Sequence, residues 1–405
     1  MTSTAPARTD RMPLTIWLIA GGIFAMVTSE FMAAGLLPAI APDVGVPIGQ
    51  AALLISGFAA GQVIGAWLIG MPLARFGPRW ILAGLMVVFA IAQTIGTLSP
   101  WPAMLALRFV SGAAMSAFFA TALSVSVRIV PDRLQSRATA AIFTGVTVGT
   151  TLGLPLATLA GRLLEWRWAF HLDTILVLVA AAAIVSAMPR LAGVAPLPFR
   201  EMLRPLRDAR LWVLFGTAGL AIGATLAGFG FFSTILERVT GVDPTVVPWL
   251  LALYGLASVV GNTVVGRLTP RGPTLVVAIG LVVLTAGLLA FWLAPTSVPV
   301  VLLALVVIGV TGVSLNPAHT ARVVERGGSG PAVTSMLPTI VTGGILLGTA
   351  LGGVAADAFG VLSPLLLGAV MSLLALGSLL PELLARRSRT VPAGITESTP
   401  VCPAA

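Results

Sequence analysis

Apolar residues fill this chain in long unbroken blocks separated by short polar stretches. Neither the period-two alternation of a half-buried strand nor the one-sided stripe of a water-soluble amphipathic helix fits that pattern. Each block runs about 20 residues, which carries a helix rising 1.5 Å per residue across about 30 Å of hydrocarbon. The pattern predicts twelve spans, near residues 14–38, 47–69, 80–98, 102–127, 139–161, 169–188, 210–236, 246–267, 274–294, 298–318, 332–355 and 361–384. Every backbone polar group must be paired inside a bilayer, so blocks of this length read as helices. The fold class is an all-α integral membrane protein. An Arg-rich break separates six spans from six. The expected organisation is a six-helix bundle over 1–188, a connecting segment over 189–210, a second bundle over 211–385 and a polar tail over 386–405.

Composition agrees: 57% of residues are hydrophobic and 9% are charged, against roughly 25% charged in soluble domains. The net charge of +9 comes from 23 basic residues that are all Arg, and their positions exclude a nucleic-acid partner. Arg8, Arg11, Arg75, Arg79, Arg128, Arg133, Arg137, Arg190, Arg200, Arg204, Arg207, Arg210, Arg267, Arg271, Arg322, Arg326, Arg386, Arg387 and Arg389 fall on one side of the predicted topology. The opposite loops carry Arg162, Arg167 and Arg238 beside the acids Glu165, Asp173, Glu237 and Asp243. The positive-inside rule then places both termini in the cytoplasm. Trp80, Trp101, Trp166, Trp168, Trp249 and Trp292 fall near span ends, as an interfacial aromatic belt would. The one cysteine, Cys402, permits no disulfide within the chain, and no P-loop or HExxH pattern occurs, so no metal or other cofactor and no enzymatic activity are expected.

The two sets of six spans repeat. The segment "LLISGFAAGQVIGAWLIGMPLARFG" lies over "WLLALYGLASVVGNTVVGRLTPRG", so that Gly65 meets Gly261, Gly70 meets Gly266 and Arg75 meets Arg271, each 196 positions on. The segment "GVTVGTTLG" lies over "GILLGTALG", with Gly145, Gly149 and Gly153 meeting Gly344, Gly348 and Gly352, each 199 positions on. Paired six-helix repeats are a transporter architecture, with substrate bound near the midplane between halves that rock. Glycine at every fourth position, from Gly145 to Gly153 with Pro155 beyond, gives a smooth face against which another helix can pack closely.

Four stretches resemble the major facilitator superfamily, and within it the twelve-span drug:proton antiporters of the arabinose-efflux and chloramphenicol-resistance type. They are "TSEFMAAGLLPAIAPDVGV" in the first span, "LALRFVSG" in the fourth, "GVTVGTTLGLPLATLAG" in the fifth and "EWRWAF" at the sixth. The resemblance implies export of a small amphiphilic molecule, chloramphenicol or a related drug-like compound, in exchange for protons, by a monomer in a bacterial plasma (inner) membrane. Two departures stand out. Ala74 precedes Arg75 where the family's loop motif offers an aspartate, and Thr150 follows Gly149 where it offers proline.

Glu30 is the residue that hydropathy leaves unexplained. A charge at the bilayer centre costs at least about 2.5 to 3.5 kcal/mol on insertion scales, so a carboxyl there points to function and to a partner. Arg108 is the partner expected. Counted along helices of opposite direction, Glu30 and Arg108 lie within one helical turn in depth. Burial favours a carboxyl's neutral form and a nearby guanidinium its charged form, the balance that suits a proton carrier. A permanently paired ion, or a neutral acid bonded to a neighbouring helix, is the plainer alternative. Asn316, Tyr254, Phe229 and Phe231 are candidates to line a substrate cavity, though helix packing or lipid contact would explain them equally. The expected partners are therefore a small-molecule substrate, protons and the lipid bilayer. The competing readings are a sugar or metabolite exporter on the same fold and, from another class, a non-transporting sensor or a channel. A sugar site needs many buried hydrogen-bonding groups and a channel needs polar rings, and the spans offer few of either.

Overall fold

The computed structural model describes residues 12–193, 207–328 and 330–382. The tail over 386–405 and most of the connecting segment lie outside them. Among the described residues twelve helices are long and apolar enough to cross a membrane, and no strand forms. They are α1 (Leu14–Val44), α2 (Ile48–Leu73), α3 (Pro78–Thr97), α4 (Trp101–Arg128), α5 (Asp132–Gly161), α6 (Trp166–Ala187), α7 (Ala209–Arg238), α8 (Val247–Arg271), α9 (Pro273–Leu293), α10 (Val298–Gly327), α11 (Ser335–Phe359) and α12 (Ser363–Glu382).

Proline and glycine mark where these helices deviate. Pro72 offers no N–H and crowds the carbonyl four residues back, and the turn before it, Ala66–Gly70, is π-helical. In α10 the backbone breaks at Gly312 and passes through a 3₁₀ turn, Val313–Leu315, before Pro317 opens the second segment. That segment continues to Gly327, well past the expected end near 318. The first helix also outruns its expected end at Pro38. It closes at Gly45, whose positive φ of 72° suits glycine and whose N–H reaches the Ala41 carbonyl.

Within the first six helices α1 packs on α5 and α6, α2 on α4, and α3 on α4 and α6; within the last six, α7 packs on α11 and α12, α8 on α10, and α9 on α12. The repeat read in the sequence is a repeat of contacts. A Cβ added at Gly145, Gly149 or Gly153 would meet Ala20, Phe24 and Val27, or Thr28 of α1; one added at Gly344, Gly348 or Gly352 would meet Gly219, Gly223 or Ala227 of α7. Ala20, Phe24 and Thr28 are themselves 199 positions before Gly219, Gly223 and Ala227. Likewise Gly65 abuts Ala113 of α4 and Gly261 abuts Val310 of α10. The other matched pair diverges, since Gly70 rests on Ala117 while Gly266 faces open space.

The two halves meet along α2 and α11 and along α5 and α8. The Gly49 N–H donates to Asp357 (2.8 Å), the Ser56 and Thr349 hydroxyls bond each other (2.8 Å), and the Trp67 indole donates to Thr339 (2.8 Å). Gly255 of α8 lies against the backbone of Thr151, and the Ser233 hydroxyl of α7 donates to the Gly35 carbonyl.

Candidate functional site

Apart from Tyr254, five ionisable side chains are buried among the described residues: Glu30, Arg108 and Asp173 in the first half, His319 and Arg322 in the second. The first three belong to one polar region between α1, α3, α4 and α6.

Arg108 projects from α4 and is 4% exposed. Its two terminal nitrogens donate to the Ser29 hydroxyl and the Ser29 carbonyl (3.1 Å each), and its Nε faces the Leu54 carbonyl at 3.5 Å. The guanidinium lies over the Phe58 ring at 4.5 Å and near the Phe170 ring at 5.6 Å. Hydrogen bonds and ring faces therefore fix its position. The Gly112 backbone lies against Phe58, where a Cβ would not fit, so α2 and α4 approach closely enough for the cation to sit on the ring.

Glu30 follows Ser29 in α1 and is 7% exposed. It accepts one hydrogen bond, from Gln62 Nε2 of α2 (3.1 Å). Sequence reasoning paired Glu30 with Arg108. The structure brings the two side chains into one neighbourhood without an ion pair, because the guanidinium's donors are spent on Ser29, one residue earlier on the same helix. Gln62, rather than Arg108, touches the acid, and its own Oε1 is buried without a partner.

Asp173 is the residue the sequence reading misplaced. Its charge places it with the polar loop acids beside Glu165, yet it lies inside α6 and is 5% exposed. Its Oδ2 accepts from Gln93 Nε2 (2.9 Å), while its Oδ1 has no partner. Gln93 of α3 also faces the Phe170 carbonyl (3.0 Å) and Thr174 Oγ1 (3.1 Å), and its Oε1 accepts from the Ser29 hydroxyl. Asp173 already fell within the predicted sixth span, so hydropathy alone had signalled burial. Gln93 and Ser29 carried no such signal, because neutral polar residues are ordinary in membrane helices. Arg167, by contrast, does sit at the helix end, where it pairs with Asp43 (2.7 Å) and Glu165 (3.1 Å). Trp166 opens α6, where its ring is buried and its indole N–H donates to Asp43.

Phe229 and Tyr254 come together in an aromatic cluster. Their rings are 5.0 Å apart; Phe232 is 5.7 Å from each, Phe291 is 5.6 Å from Phe232, and Phe31 of the first half meets Phe229 edge-on at 5.7 Å. Phe31 follows Glu30, so the cluster abuts the acidic region across the contact between halves. Phe231 is fully buried at the bend of α7, beside Gly352, and Asn316 is exposed with no side-chain hydrogen bond, so neither joins the cluster. Arg322, expected in a cytoplasmic loop, is buried in the extended second segment of α10 and pairs with Glu382 of α12 (2.7 Å). One turn before it, His319 is buried, with both ring nitrogens lacking hydrogen-bond partners.

Twelve spans, two superposable sets of packing contacts, and a buried polar region beside the contact between the halves define a multi-pass membrane transporter. The model of the Major Facilitator Superfamily matches residues 19–326 and 213–401, and the chain belongs to that superfamily. The chloramphenicol resistance protein of Streptomyces lividans is 35% identical over 335 residues, covering 81% of this chain and 85% of that protein. The inner membrane transport protein YdhP of Escherichia coli (strain K12) is 29% identical over 342 residues, 84% of this chain and 87% of that protein. Among solved structures, a bacterial homolog to the human lysosomal transporter Spinster, inward-facing and unoccupied, superposes with a TM-score of 0.75. It shares 17% sequence identity and covers 94% of this chain and 98% of that one, a likeness of fold. These relatives and this architecture are those of transporters, not enzymes, and the protein is a multi-pass component of a bacterial inner membrane.

Proposed function

We propose that this transporter exports a small amphiphilic, drug-like compound of the amphenicol type in exchange for protons that bind Glu30. It works by alternating access, as a single chain with both termini in the cytoplasm. The observation that carries this reading is the setting of Glu30: buried in α1, bonded to neutral Gln62, and without an ion pair. An acid placed so is neutral when its half of the transporter is closed around it and can ionise when water reaches it. Proton binding is thereby tied to conformation, which is what coupling requires. Support for the substrate class comes from the similarity to the chloramphenicol resistance protein of Streptomyces lividans. It comes also from the aromatic cluster of Phe31, Phe229, Phe232, Tyr254 and Phe291, an apolar surface that suits a drug-like ring better than a sugar.

The test uses purified protein in liposomes containing a pH-sensitive dye, with chloramphenicol as substrate. Wild type should show substrate-triggered proton flux and accumulation against a gradient. Glu30→Gln mimics the neutral acid, so it should lose gradient-driven accumulation and the pH dependence of binding, while downhill exchange persists. Gradient-driven accumulation at the wild-type level in Glu30→Gln would sink the carrier role.

A further inference from the structure

Among the described residues, the interior of the first half holds one cation and two acids, Arg108, Glu30 and Asp173, and the proposed cycle uses only one of the acids. We infer that Asp173 is the standing counter-charge of Arg108, connected to it by the chain Arg108–Ser29–Gln93–Asp173. This connection leaves Glu30 free to take up and release its proton. The inference rests on the carrier role of Glu30 and makes Asp173 a positioning residue for it.

The argument is one of direction. Arg108 donates to the Ser29 hydroxyl, Ser29 donates through its own proton to Gln93 Oε1, and Gln93 donates through Nε2 to Asp173 Oδ2. Each member gives a hydrogen toward the acid and accepts one from the side of the cation. A chain with one sense polarises every link in the same direction, and hydrogen bonds arranged so strengthen one another in a low-dielectric interior. With Asp173 ionised, the chain begins at a positive group and ends at an acceptor-only carboxylate, and the two charges stabilise each other without touching. The Gln93 amide has a single orientation that satisfies both neighbours, since turning it over would set its NH₂ against the Ser29 proton and its oxygen against the carboxylate. Gln93 also faces the Phe170 carbonyl and Thr174 Oγ1, acceptors that hold the same orientation.

Glu30 stands outside this chain. Facing it are Gln62 from α2, which is neutral, and Arg108 from α4, which in turn lies within electrostatic reach of Asp173 from α6. Against α1, α5 presents Leu154 and Thr158, and α7 presents Phe229 and Ser233, none of which titrates in the working range; Glu237 at the far end of α7 faces Ser233. Arg108 already has its counter-charge at the end of the chain, so its field at Glu30 is partly cancelled. Removing Asp173's charge restores that field and holds Glu30 in its ionised form to lower pH.

The experiment is the pH dependence of chloramphenicol binding, followed by intrinsic fluorescence of purified full-length transporter. Asp173→Asn keeps an oxygen for Gln93 and removes the charge, and should move the binding midpoint to lower pH by on the order of one unit. Ser29→Ala breaks the chain without removing a charge, and should move the midpoint in the same sense by less. Glu30→Gln should be flat in pH whether or not Asp173 is changed. A midpoint that stays at the wild-type value in both Asp173→Asn and Ser29→Ala, or that moves to higher pH, overturns the inference even where melting temperatures fall, because that is the signature of a scaffold alone. Should Asp173→Asn fail to accumulate in the membrane, Ser29→Ala decides. A pH dependence that survives Glu30→Gln defeats the carrier role instead, so the two failures are told apart.

Discussion

Substituting Gly149 tests whether the glycine ladder of α5 is a packing surface or a by-product of composition. A Cβ at this position lies 2.9 Å from both Cβ and Cγ1 of Val27 and 3.0 Å from the Phe24 carbonyl oxygen. Carbon atoms rest at about 3.5 to 4.0 Å, so Gly149→Ala requires α1 and α5 to part by roughly 0.5 to 1 Å. The ladder cannot absorb this locally, because Gly145 over Ala20 and Gly153 over Thr28 hold the same close approach one turn away on either side. Overpacking of a fitted interior costs about 1 to 3 kcal/mol; Gly149→Ala should lie in that range and Gly149→Leu beyond it. The damage is specific in place, since Val27 and Thr28 immediately precede Ser29 and Glu30. Transport should therefore fail in Gly149→Leu while membrane insertion, which follows hydropathy, is retained. Thermal melting in detergent together with efflux from vesicles measures both, with Gly266→Ala as the control. A Cβ at Gly266 meets nothing within 4 Å, so that change should stay within about 0.5 kcal/mol. Wild-type melting and efflux in Gly149→Leu, or equal loss in Gly266→Ala, would refute the reasoning.

In the second half, Arg322 pairs with Glu382, whose side chain is 33% exposed against 3% for the arginine. Glu382→Gln should therefore cost more than Arg322→Gln, about 1 to 3 kcal/mol after discounting the usual loss for a broken buried pair, and equal melting temperatures would count against it. Asp208 caps the start of α7 through the Arg210 N–H (2.9 Å) and faces Arg326 (3.2 Å). First the backbone bond and then Arg326 hold its carboxyl below the usual aspartate range. A lowered folded-state value means the contribution is present above the ordinary aspartate range and is lost as pH falls through the lowered value. The difference in melting between wild type and Asp208→Asn should accordingly be visible at neutral pH and vanish in strong acid, and a difference that grows in acid would reverse the sign.

What hydropathy read correctly was whatever the bilayer enforces on long stretches: twelve spans, their order and their repeat. Boundaries failed where local backbone chemistry took over. The Gly312 break and the helix restarted at Pro317 carried α10 to Gly327 and drew Arg322 indoors, although an arginine near a predicted span end reads as a loop residue. Charge placement failed in the same way at Asp173, which shares its neighbourhood in the sequence with loop acids but lies inside α6. The neutral links Ser29, Gln62 and Gln93 were illegible for a different reason. Nothing in a one-dimensional pattern says which of many tolerable polar side chains face one another across four helices, and Gln62, not Arg108, proved to be the residue that touches Glu30.

The repeat also shows what was not duplicated. With α5 over α11 and α1 over α7 both in register at 199 positions, the counterpart of Glu30 is Phe229. Gly112 abuts Phe58, and Gly309, 197 positions on, abuts the Tyr254 carbonyl; in that register Arg108 corresponds to Leu305, which is fully buried. The pair of positions that holds an acid and a guanidinium in the first half thus holds a phenyl ring and an aliphatic chain in the second, and the ring beneath Arg108 becomes Tyr254, whose ring lies 5.0 Å from that of Phe229 at a tilt of 37°. Gly65, Gly112, Gly145, Gly149 and Gly153 have glycine counterparts that also abut a neighbouring helix, so this part of the scaffold is common while the residues at the positions of Glu30 and Arg108 are opposite in character. A substrate held between the halves would meet a protonatable wall on one side and an aromatic wall on the other. An amphiphile matches that division, and a uniformly polar solute does not. Exchanging the walls is therefore more informative than deleting either. Phe229→Glu should bring a second buried acid against the rings of Phe31, Phe232 and Tyr254, and the transporter should lose substrate binding at neutral pH while Glu30 keeps its bond to Gln62. Unimpaired chloramphenicol binding in that variant would show that the aromatic wall does not contact substrate.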